Sequence, residues 1–196
     1  VLFRSGSTLY VASDSALGSQ QGLPTHVWLG DAATGGTLGY TADATTDRAF
    51  TLGTGGGGLS VASGATVTST NVIDGAGALT KSGSGTLVLA GANTYTGVTQ
   101  VAAGTLRAGI ANAFGTTGQV GIAAGATLDL NGFNHTFTLI SGQGGVALGS
   151  ATLTVDGPDA NAIGGNISGT GALVKLGSGA LVLGGTNSYS GGKIGR

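Results

Sequence analysis

Short runs of alternating apolar and polar residues recur along the chain, with glycines between them. In the clearest run, Leu87 and Leu89 share one side, whereas Thr86 and Val88 share the other. Runs of about four residues are too short for helices, and the glycines between them disfavour helical structure. The pattern therefore predicts many short strands joined by sharp bends, with glycine supplying positive φ angles at the corners.

One stretch of this pattern occurs twice, and it organises the rest of the chain. Residues 73–97 return as residues 167–191 at a constant offset of 94, and 16 of the 25 aligned positions are identical. In the first copy the repeat is defined by Gly75, Gly77, Leu79, Lys81, Gly83, Gly85, Leu87, Leu89, Gly91, Asn93, Tyr95 and Gly97. In the second copy it is defined by Gly169, Gly171, Leu173, Lys175, Gly177, Gly179, Leu181, Leu183, Gly185, Asn187, Tyr189 and Gly191. A long internal repeat of this kind predicts a repetitive architecture.

A shorter tag recurs more often: a small residue, then Thr, then Leu or Val. Its Thr positions are Thr8, Thr37, Thr66, Thr86, Thr105, Thr127 and Thr152, and Ala180 takes the Thr place in an eighth copy. Steps of 19 to 29 residues between successive tags are the size of one solenoid coil. The tag therefore predicts about eight stacked coils. One coil buries too few apolar side chains to offset its backbone entropy, so stability must come from stacking.

Composition narrows the possible functions. The chain of 196 residues has 42 Gly, no Cys, 8% charged residues and a formal charge of −1. Without a basic patch, nucleic-acid binding has no electrostatic support. Calcium-binding nonapeptides and phosphate-binding loops are both missing from the sequence, so we expect no metal and no cofactor. Trp28 is the only tryptophan.

The string GAGALTKSGSGTLVLAGANTYTGVTQVAAGTL, residues 75–106, resembles the passenger-associated transport repeat of bacterial autotransporter passenger domains. Both copies fit its spacing of Gly, Leu, Lys, Asn and Tyr. The resemblance implies an all-β fold, a right-handed single-stranded parallel β-helix. It also implies type V secretion to the surface of a Gram-negative bacterium, where a C-terminal outer-membrane barrel beyond this chain is the partner. Adhesion to host surfaces, abiotic surfaces or other cells is the expected purpose.

The polar residues of the repeat have structural and functional interpretations. For Asn93 and Asn187 we favour a structural role, in which Asn adopts a left-handed turn and bonds adjacent backbone, with the following Tyr packed over the bend. Lys81 and Lys175 lack an acidic neighbour in their own repeat, so we expect solvated turn lysines rather than catalytic ones. Because Lys81 has the strand parity of Leu79, the chain should bend near Lys81 to keep the charge outside.

Two functional hypotheses remain beside each other. The first is a non-enzymatic stalk or display segment that folds coil by coil outside the cell. The second is a β-helix lyase or hydrolase acting on carbohydrate, which requires several charged side chains on one face. Its candidates are the pairs Asp156 with Asp159 and Asp43 with Asp47, and the bases His26 and His135. A passenger whose adhesive or active domain lies outside this chain is a third possibility.

The two ends carry sequence of a different character. Residues 1–5 and 193–196 read as the in-frame translation of a common sequencing adapter. We therefore expect a single β-helix segment over residues 6–192, with ends that are not native.

Overall fold

The computed structural model describes residues 2–3, 6–18 and 26–195, which wind into a parallel β-solenoid of about eight coils. Every strand pair in these ranges is parallel. A single 3₁₀ turn, Asp14–Leu17, is the helical element within them. The all-β parallel solenoid predicted from the sequence is confirmed.

Each coil visits three faces in a fixed order, and the strands are numbered along the chain. Face 1 carries two four-stranded sheets: β1 (Leu2–Phe3), β3 (His26–Leu29), β6 (Ala49–Leu52) and β9 (Ile73–Gly75), then β16 (His135–Phe137), β19 (Thr152–Val155), β22 (Ala172–Lys175) and β24 (Lys193–Gly195). Face 2 carries one nine-stranded sheet: β2 (Thr8–Val11), β4 (Gly36–Tyr40), β7 (Gly57–Val61), β10 (Leu79–Ser82), β12 (Thr99–Val101), β14 (Gln119–Ile122), β17 (Leu139–Gly142), β20 (Asn161–Ile163) and β23 (Leu181–Leu183). Face 3 carries one seven-stranded sheet: β5 (Ala44–Thr46), β8 (Thr66–Ser69), β11 (Thr86–Leu89), β13 (Thr105–Ala108), β15 (Thr127–Asp129), β18 (Gly145–Ala147) and β21 (Ile167–Ser168).

The alternation of inward and outward residues continues through the corners as well as the strands. From Ile73 to Tyr95, every second residue is buried or half-buried, and none of the residues between them is buried. The repeat positions in this span are therefore the inward ones, and the variable positions face outward. Leu87 is fully buried, and Leu181 packs from the last coils against the same core. The two leucines thus line one cylinder, as the solenoid prediction requires.

The two copies of the repeat lie on different faces. Leu87 is on β11 of face 3, whereas its counterpart Leu181 is on β23 of face 2. Registers on face 2 give coil lengths of 20 to 22 residues from Thr37 onward. The offset of 94 residues therefore spans four coils and one further face, so the second copy is rotated by one face. The same local sequence serves all three faces.

This rotation also corrects the interpretation of the short tag. Thr66, Thr86, Thr105 and Thr127 lie in register on face 3, where each step is one coil. Thr37 lies on face 2 and pairs with Gly58 in the next coil. The tag therefore marks the start of a strand on any face. Its wider steps are not coil lengths, with the exception of the first coil, in which Thr8 opposes Thr37.

Close stacking explains most of the repeat glycines. Gly75 and Gly83 have positive φ angles of 103° and 71°, as predicted for corners. Gly77, Gly85 and Gly91 have no such angle, but a Cβ atom there would lie 1.8, 2.2 and 2.0 Å from a carbonyl oxygen of the preceding coil. The expectation that repeat glycines serve positive φ is therefore wrong for these three, which are needed because adjacent backbones approach closely.

The second copy behaves in the same way. Gly169 has a positive φ of 118°. The other repeat glycines there have neighbouring backbone within 2.5 Å of an added Cβ, namely Gly171, Gly177, Gly179, Gly185 and Gly191. Gly97 in the first copy does too, at 2.3 Å from Gly77.

The two termini add outer strands to face 1. β1 pairs with β3, and β24 pairs with β22. Residues 1, 4, 5 and 196 lie outside the described residues, and the assignment of a single native segment to residues 6–192 stays a prediction. Among the residues described, no helix has the length and apolar character needed to cross a membrane.

We expect Gly77→Ala to lower the free energy of unfolding by about 1–3 kcal/mol, because its methyl group must displace backbone of the preceding coil. Urea unfolding followed by far-UV circular dichroism measures this. The matched control is Gly145→Ala, where the nearest atom to the new Cβ would be 3.4 Å away and φ is not positive. An equal loss in both variants would show that glycine flexibility, rather than steric exclusion, sets the cost.

Candidate functional site

The repeated asparagines link adjacent coils through their side chains. The Ile73 N–H donates to Asn93 Oδ1 at 2.8 Å, and the Ile167 N–H donates to Asn187 Oδ1 at 2.8 Å. Asn93 also donates from Nδ2 to the Ala113 carbonyl at 2.7 Å, so this buried amide bonds the coils on both sides of it. The structural role predicted for the asparagines agrees with these bonds, but Asn93 and Asn187 have no positive φ. The left-handed turn expected at these two positions is therefore wrong.

Tyr95 fills the core rather than covering a bend. Its side chain is fully buried, and its hydroxyl is 2.6 Å from Thr99 Oγ1, which is buried as well. Burial raises the pKa of the Tyr95 phenol above its ordinary value of 10, while the Thr99 bond lowers it by a smaller amount. Tyr189, the counterpart in the second copy, is half-buried against the same core. Both tyrosines are packing residues with a satisfied hydroxyl where burial is complete.

Lys81 corrects the clearest prediction made for a charged residue. It lies on β10 with the same inward direction as Leu79, and it is fully buried. Its Nζ donates to the carbonyl oxygens of Ser82, Gly83 and Ala103 at 2.8, 2.7 and 3.0 Å. An ammonium group has three N–H donors, and all three are used here. The chain does not bend to expel the charge, because backbone carbonyls at the corner bind it inside.

The surroundings of Lys81 perturb its titration but leave it charged at neutral pH. Burial lowers the pKa of the amine from 10.5 to about 8. Lys175, its counterpart, is half-exposed on β22 and donates to the Gly177 carbonyl. The two equivalent lysines therefore have different environments, and neither has a substrate pocket beside it in the described part of the chain.

A second internal polar column lies on face 1. The Ala113 N–H donates to His135 Nε2 at 3.2 Å, and His135 Nδ1 is 2.8 Å from the Phe133 carbonyl. Since Nε2 accepts a hydrogen bond, the proton must be on Nδ1, and the ring is neutral. Phe114 and Phe137 flank the imidazole at centroid distances of 4.7 and 5.9 Å. Burial lowers the pKa of His135 below 6.5, with a smaller opposing effect from the Phe133 bond. His135 is a core residue rather than a catalytic base.

The acidic pairs proposed for an enzyme do not converge. Asp43 accepts the Thr66 N–H at 2.7 Å in a turn. Asp156 and Asp159 lie in the exposed turn before β20, several coils further along the chain. In the ranges with described structure, no three His, Asp or Glu side chains come together as ligands for a metal ion. A surface depression of about 410 Å³ over Asn93 and Thr116 has no charged residue in its lining.

Two ion pairs have structural positions. Arg48, which is 4% exposed, donates from Nε to Asp14 at 3.0 Å and from Nη2 to the Gly18 carbonyl at 2.8 Å. Tyr40 adds a hydroxyl bond to the same carboxylate at 3.1 Å, so the 3₁₀ turn is fastened to the coils. On face 3, Arg107 and Asp129 occupy neighbouring register positions 2.7 Å apart, a surface pair worth about 0.2–1 kcal/mol.

One surface row on face 1 was missed in the sequence. Trp28, Thr51 and Asp74 are in direct register on β3, β6 and β9. Trp28 is 49% exposed, and its ring lies 5.9 Å from that of His26. The Thr51 hydroxyl donates to Asp74 Oδ1 at 2.5 Å and is 2.6 Å from His26 Nε2. Residues more than 20 positions apart are neighbours here only because of the coil length, which had to be known to find the row.

The hydroxyl of Thr51 is not arranged as a nucleophile. A hydroxyl has one proton, and Thr51 gives it to Asp74, so His26 must donate from Nε2 to the Thr51 oxygen. In a catalytic triad the hydroxyl would donate to an imidazole acting as base. The row therefore presents an aromatic surface and an oriented carboxylate, with no activated nucleophile.

Comparison with known proteins agrees with the repeat and the solenoid. The family model described as the passenger-associated-transport-repeat matches residues 79–108 and 173–193. Together with the stacked parallel coils, this match identifies the chain as a segment of an autotransporter passenger.

The relative found among curated proteins is an adhesin. The chain is 45% identical over 188 residues to the adhesin BmaC autotransporter of Brucella suis biovar 1 (strain 1330). This alignment covers 90% of the chain but 5% of the relative, so the chain spans a small part of that protein's length. No solved structure matches the chain.

We expect Lys81→Met to lower the free energy of unfolding at neutral pH by about 1–3 kcal/mol, because it leaves buried carbonyl oxygens without donors. Lys175→Met is the matched control at the equivalent repeat position, with an expected change within about 0.5 kcal/mol. Urea unfolding of both variants makes the comparison. An unchanged or higher midpoint for Lys81→Met would mean that desolvation of the ammonium outweighs its three hydrogen bonds.

The stability of the solenoid should fall as the pH drops through about 6.5, the ordinary pKa of histidine. His135 is held neutral in the folded chain with a lowered pKa, so the unfolded chain binds the proton first. The loss is complete at the lower pKa of the folded state. Urea midpoints between about pH 8 and about pH 5 measure the effect. His135→Gln should remove this part of the pH dependence, whereas the same substitution at half-buried His26 should leave it; equal slopes in both variants would contradict the assignment.

Proposed function

We propose that this chain is a stalk and display segment of a secreted autotransporter passenger. In this role it stands at the surface of a Gram-negative bacterium and serves adhesion. It has no catalytic task, and residues 6–192 act as one continuous β-helix segment. The barrel of the same polypeptide is the partner for export, and host surfaces, abiotic surfaces or other cells are the targets.

The observation that carries this proposal is the continuity of one core through all the coils. Buried side chains from Val11 to Leu173 form a single apolar cluster, and parallel backbone pairing runs along every face. A solenoid of this kind gains length in steps of about 4.8 Å per coil, and each new coil adds its own stacking energy. Extension away from the cell is what such a structure provides.

The same contacts support folding coil by coil. Each completed coil presents a row of unpaired backbone groups, which the next coil can pair with as it emerges. Asn93 and Asn187 add side-chain bonds in the same direction, each to a backbone N–H one coil earlier. Folding on the outside would therefore oppose backward movement of the chain during export.

A non-enzymatic role has support from the position of the charged groups. Asp43 and Asp47 lie in turn regions far along the solenoid from Asp156 and Asp159. His135 is enclosed by aromatic rings. The relative found is named an adhesin, and adhesion comes to this chain as part of the proposal.

Display of coil-deletion variants tests the proposal. The chain is placed between a signal peptide and an autotransporter barrel in a laboratory Gram-negative host. Deletion of residues 99–119 removes one whole coil, since Thr99 pairs with Val120. We expect this variant to reach the surface and to resist trypsin as the full segment does. Deletion of residues 99–108 should leave a trypsin-sensitive passenger with reduced display, because corner glycines then fall in the middle of a face.

Adhesion of the displaying cells to coated surfaces is scored beside cells that display the barrel alone. If the half-coil deletion is displayed and protected as well as the whole-coil deletion, continuous stacking is not what supports display. Release of reducing sugar from polysaccharide by the purified chain would contradict the non-enzymatic role.

A further inference from the structure

We propose that Trp28, His26 and Asp74 form a binding site for a neutral sugar ring on face 1. The proposal deepens the adhesive role proposed above by naming the class of ligand, and it rests on that role for its biological purpose only. Nothing in the sequence repeat accounts for these side chains, because Trp28 and His26 lie before the first copy.

The geometry offers an aromatic surface of the right extent. The rings of His26 and Trp28 are 5.9 Å apart and inclined by 28°, so they form a nearly continuous plate, and Trp28 remains 49% exposed. Aromatic faces carry partial negative charge and attract the positively polarised C–H groups of a pyranose ring. One sugar ring covers a plate of this size.

Asp74 supplies the polar end of the site. Direct register places it two coils from Trp28, roughly 10 Å along the face at the usual strand spacing. Thr51 lies between them and donates to Oδ1 of Asp74, which orients the carboxylate. A carboxylate accepts about four hydrogen bonds, so Asp74 retains acceptor sites for sugar hydroxyl groups. Such charge-assisted bonds to hydroxyl groups are stronger than neutral ones.

The charge of the row selects among ligands. Asp74 repels uronic and sialic acids, whereas it accepts hydrogen bonds from uncharged hydroxyl groups. A cationic peptide would also be attracted by an indole face and a carboxylate, but a cation favours both groups converging on one point. Here they are separated along a row, with a hydroxyl in the middle. An extended ligand with several hydroxyl groups fits this spacing better.

The position of Trp28 provides a direct experiment, because it is the only tryptophan in the chain. Cellohexaose and maltohexaose are titrated into the purified chain while tryptophan emission is recorded. We expect a saturable change in emission with at least one of the two neutral hexasaccharides. Oligogalacturonate and a polylysine peptide serve as the anionic and cationic probes, and neither should produce this change.

Variants connect the signal to the site. Asp74→Asn should weaken hexasaccharide binding about tenfold, the value of one charge-assisted hydrogen bond. Trp28→Ala, measured by isothermal titration calorimetry, should abolish binding, and exposed Asp156→Asn is the matched control that should not change it. Far-UV circular dichroism verifies that each variant is folded.

Three outcomes would overturn the proposal: no response to either neutral hexasaccharide at millimolar concentration, a response that Asp74→Asn and Trp28→Ala both retain, or a response to polylysine alone. The purified chain needs no export for this measurement. A failure of sugar binding is therefore distinct from a failure of surface display.

Discussion

The close approach of one coil to the next is the constraint on which this structure depends. Parallel backbone bonds fix the separation of the coils on three faces, and at the corners an inward side chain would collide with a carbonyl oxygen of the preceding coil. Gly77, Gly85 and Gly91 meet this constraint by having no side chain. A solenoid with tight corners therefore needs glycine on its inner side at regular places, which accounts for much of the 42 glycines in the chain.

The same constraint shapes the polar groups inside the solenoid. Tight corners direct carbonyl oxygens inward, and those oxygens require donors because water does not reach them. Lys81 supplies three N–H groups at one corner, and the Asn93 amide bonds the coils before and after its own. Both residues belong to the repeat, so the polar positions of the repeat are as much part of its packing as the leucines. Removal of a donor here should cost stability without any effect on a ligand.

Much of the fold could be predicted from the sequence, because a pattern with a period of two residues and a long repeat allow few architectures. The parallel coils, the inward leucines and the bonding role of Asn93 were expected and are confirmed. Lys81 was assigned to the surface because a lysine alone suggests a solvated residue, and its donors could only be counted once the corner carbonyls were placed. The row of Trp28, Thr51 and Asp74 depends on register between distant segments, which a single sequence does not contain.

The rotation of the second repeat copy by one face has a consequence for how such chains grow. Because Leu87 on face 3 and Leu181 on face 2 serve equivalent roles, a duplicated segment fits whenever its length brings corner onto corner. Duplications need not contain a whole number of turns, since a third of a turn is already an acceptable increment. Gene segments of many lengths can thus be copied into the array without loss of stacking, and the outward residues of each copy are then presented in a new direction around the shaft.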